Sequence, residues 1–417
     1  MTGTASGTTD TTKEAAEAFG ALTSAQRAAL RFVTEHANSR APAANQLIDE
    51  VLRMSNLSRP TANPAGESSE KKTASGSEDR RARFEASIRE IKMHARVALH
   101  FHPDRPGAND KLVAQSLLDE GLYRSQFETK ISNGGLTAHP GGARQRWEEK
   151  LFGGAYEKSN ANPDERAHER PKYGALDVMR HADGPSPRFG SCYFLLKPAI
   201  SQRCTFTYMD SSEEPATRGT LEAFDDIVSA MLGDVFKSDF TLGENSLTPP
   251  RLIDHLLENS PRPIHESVAQ PATRNLNHYI EAQVHGELSL GEDVEALVID
   301  PCFPKTETGK ILETVCRRYE IALFQHGGFA LPVDEIPSDF RGPAMPSLAA
   351  RIATDEAIDV ATIGRAVNQL KADPARFSDR GSAGEVLQEL KLLWHVLVRY
   401  GRPACEFEGT RREFGLK

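Results

Sequence analysis

The stretch from Val97 to Arg105 reads VALHFHPDR, and it decides how the rest of the chain is interpreted. Apolar residues alternate with Ala98, His100 and His102, and this period of two predicts a half-buried β-strand. Pro103 cannot donate to a strand ladder, so the strand is expected to end there, before turn-forming residues. The strand therefore delivers two histidines, one aspartate and one arginine to one exposed end, where catalytic groups are often displayed.

The composition is that of an ordinary globular protein. The chain has 417 residues, of which 39% are hydrophobic and 26% charged, which is enough for two domains. The net charge of -9 comes from 50 basic and 59 acidic residues with the signs mixed, so nucleic-acid binding is not indicated. Since no stretch resembles a secretory signal or a membrane span, we expect a soluble, cytoplasmic protein without a membrane partner.

The cysteines argue against a cysteine-based framework. No two of them have the Cys-X-X-Cys spacing of a zinc finger, and they are too scattered to predict a disulfide scaffold. A reducing compartment fits this pattern better. The five residues are Cys192, Cys204, Cys302, Cys316 and Cys405.

Composition shifts predict four regions. Residues 1–54 form an N-terminal helical arm, in which Thr23 or Ser24 caps the second of two short helices. Residues 55–80 are rich in Ser, Lys, Glu and Pro and predict a flexible linker. Residues 81–335 mix strand-like and helical runs without regular βαβ alternation, which predicts an α+β catalytic domain. Residues 336–417 form a helical C-terminal region.

Within these regions the periodicity predicts particular elements. A helix leads from Arg81 into the opening strand, and a second amphipathic helix ends at the C-cap glycine Gly121. Trp147 and Phe152 are expected to be core anchors of a third helix. The segment Arg188 to Ser191 fits either the floor of a cleft or a simple turn. Strands are predicted at 191–197, 204–208, 279–284 and 294–299, and further helices at 221–237, 252–257 and 347–400.

Three stretches concentrate polar residues beside strands. The first is the end of the opening strand, and the second is the segment FETKISNGG, with Thr129, Ser132 and Asn133. In the third, YIEAQVHGELSL, Tyr279, Glu281 and Gln283 share one face of a strand. A glutamate in the middle of such a strand fits a face that lines a cleft. It also fits an edge strand with a solvated face.

Several sequence blocks together resemble a family of uncharacterised proteins of bacteria and fungi. The resemblance covers about Val97 to Pro301, and that family in turn resembles a distant branch of the mono-ADP-ribosyltransferases. It implies a mixed or antiparallel β core of ADP-ribosyltransferase type, with helical additions at both ends. The blocks are LHFHPDR, GLYRSQFET-ISNGG, RWEEKLFGGAY, RFGSCYFLLKP, CTFTYMDS and EAQVHGELSL-DVEALVIDP.

The resemblance also implies NAD as a substrate and a role for each matching residue. Arg105 or His102 matches the NAD-binding residue of the first strand, Ser132 with Thr129 supports the nicotinamide pocket, and Glu281 is the catalytic carboxylate. The catalytic set is then Glu281, Ser132 and Arg105. The NAD-binding set is His102, Arg105, Thr129, Asn133, Tyr279 and Gln283. The acceptor is an unidentified protein or small molecule, and Tyr279 stands where the family has an acidic residue or Gln.

Two other functions fit the same residues. A metal-dependent hydrolase could use His100, His102 and Asp104, with His285 or His278 completing the ligand set. A non-catalytic interaction protein could bind a partner through the helical tail. The sequence carries no glycine-rich dinucleotide-binding motif or phosphate-binding loop that would place NAD or ATP on a Rossmann or Walker scaffold.

Overall fold

The computed structural model describes residues 21–55, 69–107, 110–130, 138–157 and 166–404. Within these residues the chain folds around an eight-stranded mixed sheet accompanied by helices, so the predicted α+β class is confirmed. Over the same residues, no helix is both long enough and apolar enough to cross a bilayer.

The strands of the main sheet are β1 (Arg96–Phe101), β2 (Lys172–Asp177), β3 (Cys192–Leu196), β4 (Cys204–Tyr208), β5 (Arg218–Thr220), β8 (Ile280–Val284), β9 (Val294–Ile299) and β10 (Ala322–Gln325). Two small ribbons pair β6 (Phe240–Thr241) with β7 (Glu244–Asn245), and β11 (Ala330–Pro332) with β12 (Ala357–Asp359).

The α-helices are α1 (Ser24–Met54), α2 (Ser69–His94), α3 (Val113–Glu120), α4 (Gln126–Thr129), α5 (Ala143–Leu151), α6 (Asp225–Ser238), α7 (Pro249–Asn259), α8 (Ile264–Ser267), α9 (Leu290–Asp293), α10 (Glu307–Arg318), α11 (Met345–Ile352), α12 (Val360–Ala372) and α13 (Ala383–Tyr400). Short 3-10 helices occupy several connections, among them Pro187–Phe189 and Ser211–Glu213.

The opening strand β1 lies at the centre of the sheet. The strand order is β10-β9-β3-β1-β2-β8-β4-β5, and only β9 and β10 pair in parallel. Five of the six β1 residues are buried, because helices and loops cover both faces, so the prediction of a half-buried strand is wrong. β8 lies between β2 and β4, which also rules out the edge-strand interpretation of Glu281.

The two faces of the sheet differ in chemistry. One face is apolar, and there Phe101 stacks on Phe194 with ring centroids 4.9 Å apart. On the other face, Glu281 of β8 is in register with Ala175 of β2 and Thr207 of β4. Gln283, on the same face of β8, is in register with Tyr173 of β2 and Thr205 of β4. Because neighbouring residues in register point to the same side, this second face gathers polar side chains of three adjacent strands. It forms the floor of the candidate site.

The N-terminal helices differ from the prediction in two ways. Thr23 caps α1 through a capping box with Gln26, as predicted, but α1 is one continuous helix from Ser24 to Met54. The first of the two predicted short helices lies mostly outside the described residues. α2 begins at Ser69, inside the predicted linker 55–80 and twelve residues before the predicted start at Arg81. Residues 56–68 of that linker also lie outside the described residues.

The remaining elements follow the sequence pattern closely. Gly121 ends α3 in the left-handed conformation with φ 66°, and β3, β4, β8 and β9 fall within or almost within their predicted ranges. β2 and β10 were not predicted as separate strands. The predicted continuous helical tail is three helices, with β12 between the first two.

The C-terminal helices pack on the turn that follows β1. Asn368 of α12 donates to the Asp104 carbonyl at 3.1 Å, and Lys371 donates to the Gly107 carbonyl at 3.0 Å. A Cβ atom at Gly364 would lie 1.6 Å from Asp104 Oδ2, so only glycine permits this close approach. The predicted boundary between residues 335 and 336 therefore divides elements that pack directly against each other.

Candidate functional site

A cavity of about 570 Å³ lies where β1 ends. This volume is within the range of about 300–1,000 Å³ that is usual for small-molecule sites. His102 and Arg105 line it from the turn after β1, Thr129 from the end of α4, and Glu281 from the polar face of β8. Four predicted site residues that are far apart in sequence therefore share one cavity.

Glu281 is a buried carboxyl group on the floor of this cavity, with 5% of its surface exposed. Burial, together with the nearby negative charge of Asp210, raises the pKa of Glu281 to about 7, while hydrogen bonds from Ser211 and Gln283 oppose this rise. A carboxyl group with such a pKa changes its charge near neutral pH. It can act as a charged stabiliser or as a proton acceptor in that range.

A chain of hydrogen bonds holds Glu281 from below. Gln283 Nε2 donates to Glu281 Oε1 at 2.9 Å, and Thr205 Oγ1 donates to Gln283 Oε1 at 2.8 Å. Thr205 Oγ1 is also 3.1 Å from His285 Nε2, and His285 Nδ1 is 2.5 Å from the Tyr156 hydroxyl. Burial lowers the pKa of His285 to about 3, so its ring is neutral.

The direction of this chain follows from its members. Because the Thr205 hydroxyl gives its proton to Gln283, it accepts from His285 Nε2–H, and His285 Nδ1 then accepts from Tyr156. Every donor in the chain points toward Glu281, which favours the ionised carboxylate and fixes its orientation. We refer to Tyr156, His285, Thr205 and Gln283 as the donor chain.

Arg105 brings a buried positive charge to the cavity. Its Nη1 atom lies 3.6 Å from Asp104 Oδ2 and has no hydrogen-bond partner among the described residues. Asp104 Oδ1 is likewise buried without a partner in that part of the chain. Since a buried guanidinium group is normally hydrogen-bonded, Arg105 is equipped to receive an anionic group of a ligand.

The two histidines of the opening stretch have structural partners. His100 Nδ1 lies 3.1 Å from the Gly190 carbonyl, and its ring packs against Tyr193 with centroids 4.9 Å apart. His102 Nδ1 lies 3.4 Å from Ser191 Oγ. Burial lowers the pKa of both rings, to about 3 for His100. Across the described residues, no three His, Cys, Asp or Glu side chains are placed to hold a metal ion.

An aromatic wall that the sequence did not reveal faces the cavity from α5. The Arg144 guanidinium lies between Trp147 and Tyr173, 4.6 Å from each ring centroid. Arg144 Nε and Trp147 Nε1 are buried, and neither has a hydrogen-bond partner in the described parts of the chain. Trp147, predicted to be a core anchor, lines the cavity. Phe152, for which the same prediction was made, is a core residue with no exposed surface.

A buried ion pair supports this wall. Glu148 Oε1 accepts from the Tyr173 hydroxyl at 2.7 Å, and Arg170 Nη1 donates to Glu148 Oε2 at 3.0 Å. Glu148 and Arg170 are buried, and their hydrogen bonds hold the Tyr173 ring in a fixed position on the cavity wall. A polar residue within an amphipathic helix, such as Glu148, gives no sequence signal for this role.

Two predicted NAD-binding residues lie elsewhere. Tyr279 is 1% exposed and packs edge-on against Phe189, and Gln283 is fully buried in the donor chain. Neither lines the cavity in the described structure, because Phe189 covers Tyr279 and Gln283 is bonded within the donor chain. Gln283 contacts Glu281 directly, and the role of both residues in NAD binding stays a prediction. Ser132 and Asn133 lie outside the described residues.

Two further cations reach the cavity from unexpected places. Arg188 belongs to the 3-10 helix Pro187–Phe189, and Lys391 belongs to α13 of the helical tail. The Arg188 segment was predicted to be a cleft floor or a turn, and it is a turn that contributes to the cavity. Lys391 lies beside the apolar stripe of α13, where a lysine is usually solvated.

Comparisons with known proteins give a family but no activity. A family model described as "Protein of unknown function (DUF3626)" matches residues 96–400, from the first residue of β1 to the last of α13. The Gene 2 protein of Mycobacterium phage D29 is 30% identical over 192 residues, which are 44% of this chain. The match spans 59% of the length of the phage protein.

Proposed function

The chain belongs to the DUF3626 family of proteins of unknown function, and from its cavity we propose that it is a mono-ADP-ribosyltransferase that consumes NAD. One observation carries the proposal. Arg105, His102 and Glu281, which the sequence resemblance selects for NAD binding and catalysis, line the same cavity of about 570 Å³.

The reaction breaks the bond between ribose C1′ and the nicotinamide nitrogen. The electron pair of that bond leaves with nicotinamide, and the ribose develops an oxocarbenium-like positive charge. An ionised Glu281 beside the ribose stabilises this charge in a site that excludes water. The acceptor then bonds to C1′ and loses a proton, which a carboxylate with a pKa of about 7 is suited to take.

The rest of the cavity provides for the other parts of NAD. Arg105 offers an unpartnered nitrogen to the pyrophosphate, which a guanidinium group binds through charge-assisted hydrogen bonds. Trp147 and Tyr173 border the same cavity and give it an aromatic wall against which a base can pack. Thr129 borders the same space, and Ser132 keeps its proposed role beside the nicotinamide as a prediction.

The acceptor is a protein side chain or a small molecule, and water in its place would give NAD hydrolysis. The test is to measure nicotinamide release from NAD by the full chain, together with NAD binding by calorimetry. Glu281→Gln should abolish most of the release, whereas Glu313→Gln, an exposed site on α10 away from the cavity, should not. The proposal is wrong if the wild-type chain neither binds NAD nor releases nicotinamide.

A further inference from the structure

Basic side chains outnumber acidic ones around the cavity. Most of the basic side chains already have hydrogen-bond partners or belong to the proposed NAD site. Six basic residues line it: Arg105, Arg124, Arg144, Lys172, Arg188 and Lys391. Arg124 pairs with two glutamates, Glu120 at 2.7 Å and Glu128 at 2.9 Å. Lys172 donates to the Gly286 carbonyl at 2.8 Å. Arg105 and the aromatic wall around Arg144 belong to the proposed NAD site. Arg188 Nη1 donates to the Leu276 carbonyl at 3.2 Å and to Asn277 Oδ1 at 2.9 Å. The Nε and Nη2 side of Arg188, together with Lys391, is then left to bind a ligand.

Helix α13 holds Lys391 opposite the turn that carries Arg188. Trp394 Nε1 donates to the carbonyls of Pro187 at 3.2 Å and Arg188 at 3.1 Å, which fixes the helix against this turn. Lys391 precedes Trp394 by three positions and His395 by four, so the three side chains share one face of α13. That face meets the Arg188 turn at the cavity.

The cations gathered there have few acceptors. Lys391 has no hydrogen-bond or ion-pair partner in the described part of the chain, and Arg341 Nε is buried without one. Both ring nitrogens of His395, which is 3% exposed, are also unpartnered within the described ranges. The acid facing them is Asp210, whose Oδ2 lies 3.7 Å from Arg188 Nη2. We call Arg188, Arg341, Lys391 and His395 the basic rim.

The charges of the basic rim repel one another. Burial, followed by the charges of Arg188 and Arg341, lowers the pKa of Lys391. Burial, followed by Arg341, Arg188 and Lys391, lowers the pKa of His395 to about 3. An anion placed among these groups would relieve the repulsion and supply the missing acceptors.

We propose that Arg188 and Lys391 bind a phosphate monoester next to Glu281, at a subsite separate from the pyrophosphate site of Arg105. The subsite lies beside Glu281 for the following reason. Asp210 faces Arg188, and the next residue, Ser211, hydrogen-bonds to Glu281. This inference rests on the proposed function. The phosphate belongs to the acceptor, because the 2′-phosphate of NADP is on the adenosine ribose, across the pyrophosphate from the nicotinamide ribose beside Glu281.

The chemistry of the subsite suits a phosphate monoester. Such a group carries a charge close to -2 at neutral pH and three acceptor oxygens. The planar fork of Arg188 can bind two of these oxygens, and Lys391 adds a point charge. A single carboxylate would leave more of the donors of the basic rim without acceptors.

The experiment measures the binding of inorganic phosphate to the full chain by calorimetry at pH 7.5. Lys391→Met should weaken binding about tenfold, the usual scale for losing one charge-assisted bond. Asp210→Asn should tighten it, because the competing acid is gone. Arg399→Met, an exposed site on the same helix, is the matched control and should bind as the wild type does. Equal phosphate affinity in Lys391→Met and the wild type would overturn the proposal.

Competition then identifies the source of the phosphate. If saturating NADP displaces phosphate and saturating NAD does not, the basic rim binds the 2′-phosphate of the adenosine ribose, and a subsite next to Glu281 is wrong. If neither displaces it, the phosphate belongs to the acceptor. Displacement by NAD itself would mean that the basic rim is part of the pyrophosphate site, and the separate subsite is then wrong. Because phosphate binding needs no turnover, its loss is distinguishable from a failure to release nicotinamide.

Discussion

The carboxylate and the cations of the cavity are held in opposite ways. Glu281 ends a donor chain in which every polar group from Tyr156 onward has a partner. Arg105 Nη1 and Arg144 Nε reach the same space as buried nitrogen atoms that have no hydrogen-bond partner in the described structure. Both sets of groups are buried, so exposure to solvent does not explain the difference.

The contrast separates what the protein fixes from what a ligand completes. Because every polar group of the donor chain has a partner, the chain holds the Glu281 carboxylate in one orientation before any ligand binds. Buried donors without acceptors carry a desolvation cost that an anionic ligand removes on binding. Changes on the Glu281 side should therefore affect turnover or stability, and changes among the cations should affect binding.

The strongest test of this division is Glu281→Gln. The amide keeps the shape of the side chain but cannot stabilise developing positive charge, so nicotinamide release should fall about a hundredfold to a thousandfold. NAD affinity should change far less, because the interaction is strongest in the transition state. Turnover at the wild-type rate in this variant would break the assignment of Glu281.

Arg105→Ala should show the opposite balance. Loss of one charge-assisted contact to the pyrophosphate should weaken NAD binding about tenfold to a hundredfold. The turnover of bound NAD should fall less than this. Calorimetry with NAD measures the effect, with Arg317→Ala at an exposed site on α10 as the control. A variant that binds NAD normally but turns it over slowly would contradict a ground-state role for Arg105.

Thr205→Val tests whether the donor chain is a stabilising network. The substitution keeps the size of the side chain but leaves Gln283 Oε1 and His285 Nε2 without their shared partner. We expect a loss of about 1–3 kcal/mol in the free energy of unfolding, measured by urea denaturation. Thr314→Val, at a half-buried site on α10 whose hydroxyl bonds to its own helix, should lose much less, and equal losses in the two variants would count against the network.

The smallest expected effect is the pH dependence of turnover. Because the charged form of Glu281 is the active one, activity should rise with pH through the pKa of about 7. The ionised fraction of such a group grows about tenfold between pH 6 and pH 8. The pH profile of nicotinamide release measures this rise, which should be absent from the residual activity of Glu281→Gln. A profile that falls over this interval would mean that the protonated form is the active one.

The sequence could predict Glu281, His102 and Arg105 because each interrupts an apolar strand or ends one. A polar residue in such a position needs a reason, and the reason proved to be a shared cavity. The strands that alternate clearly were also located well. The placement of β1 and β8 inside the sheet could not be predicted, since strand order depends on contacts far apart in sequence.

The residues that the sequence missed lie on helices and turns. Trp147 has the spacing of a core residue, and Lys391 adjoins an apolar stripe where lysines are normally solvated. Only the packing of α13 on the Pro187–Phe189 turn brings Lys391 to the cavity. Tyr279 and Gln283 share a strand face with Glu281, yet of the three only Glu281 lines the cavity, since Phe189 covers Tyr279 and Gln283 lies within the donor chain. The alternation of a strand does not reveal such local cover.

The contact between Asn368 and Asp104 joins residues 264 positions apart, and this has a consequence for synthesis on the ribosome. At roughly 5–20 residues per second, translation of that interval takes about 13 to 53 s. During this time β1 and its turn exist without the helices that cover them. Lys391 of α13 is added later still. A nascent chain therefore cannot complete its cavity until α13 has been made.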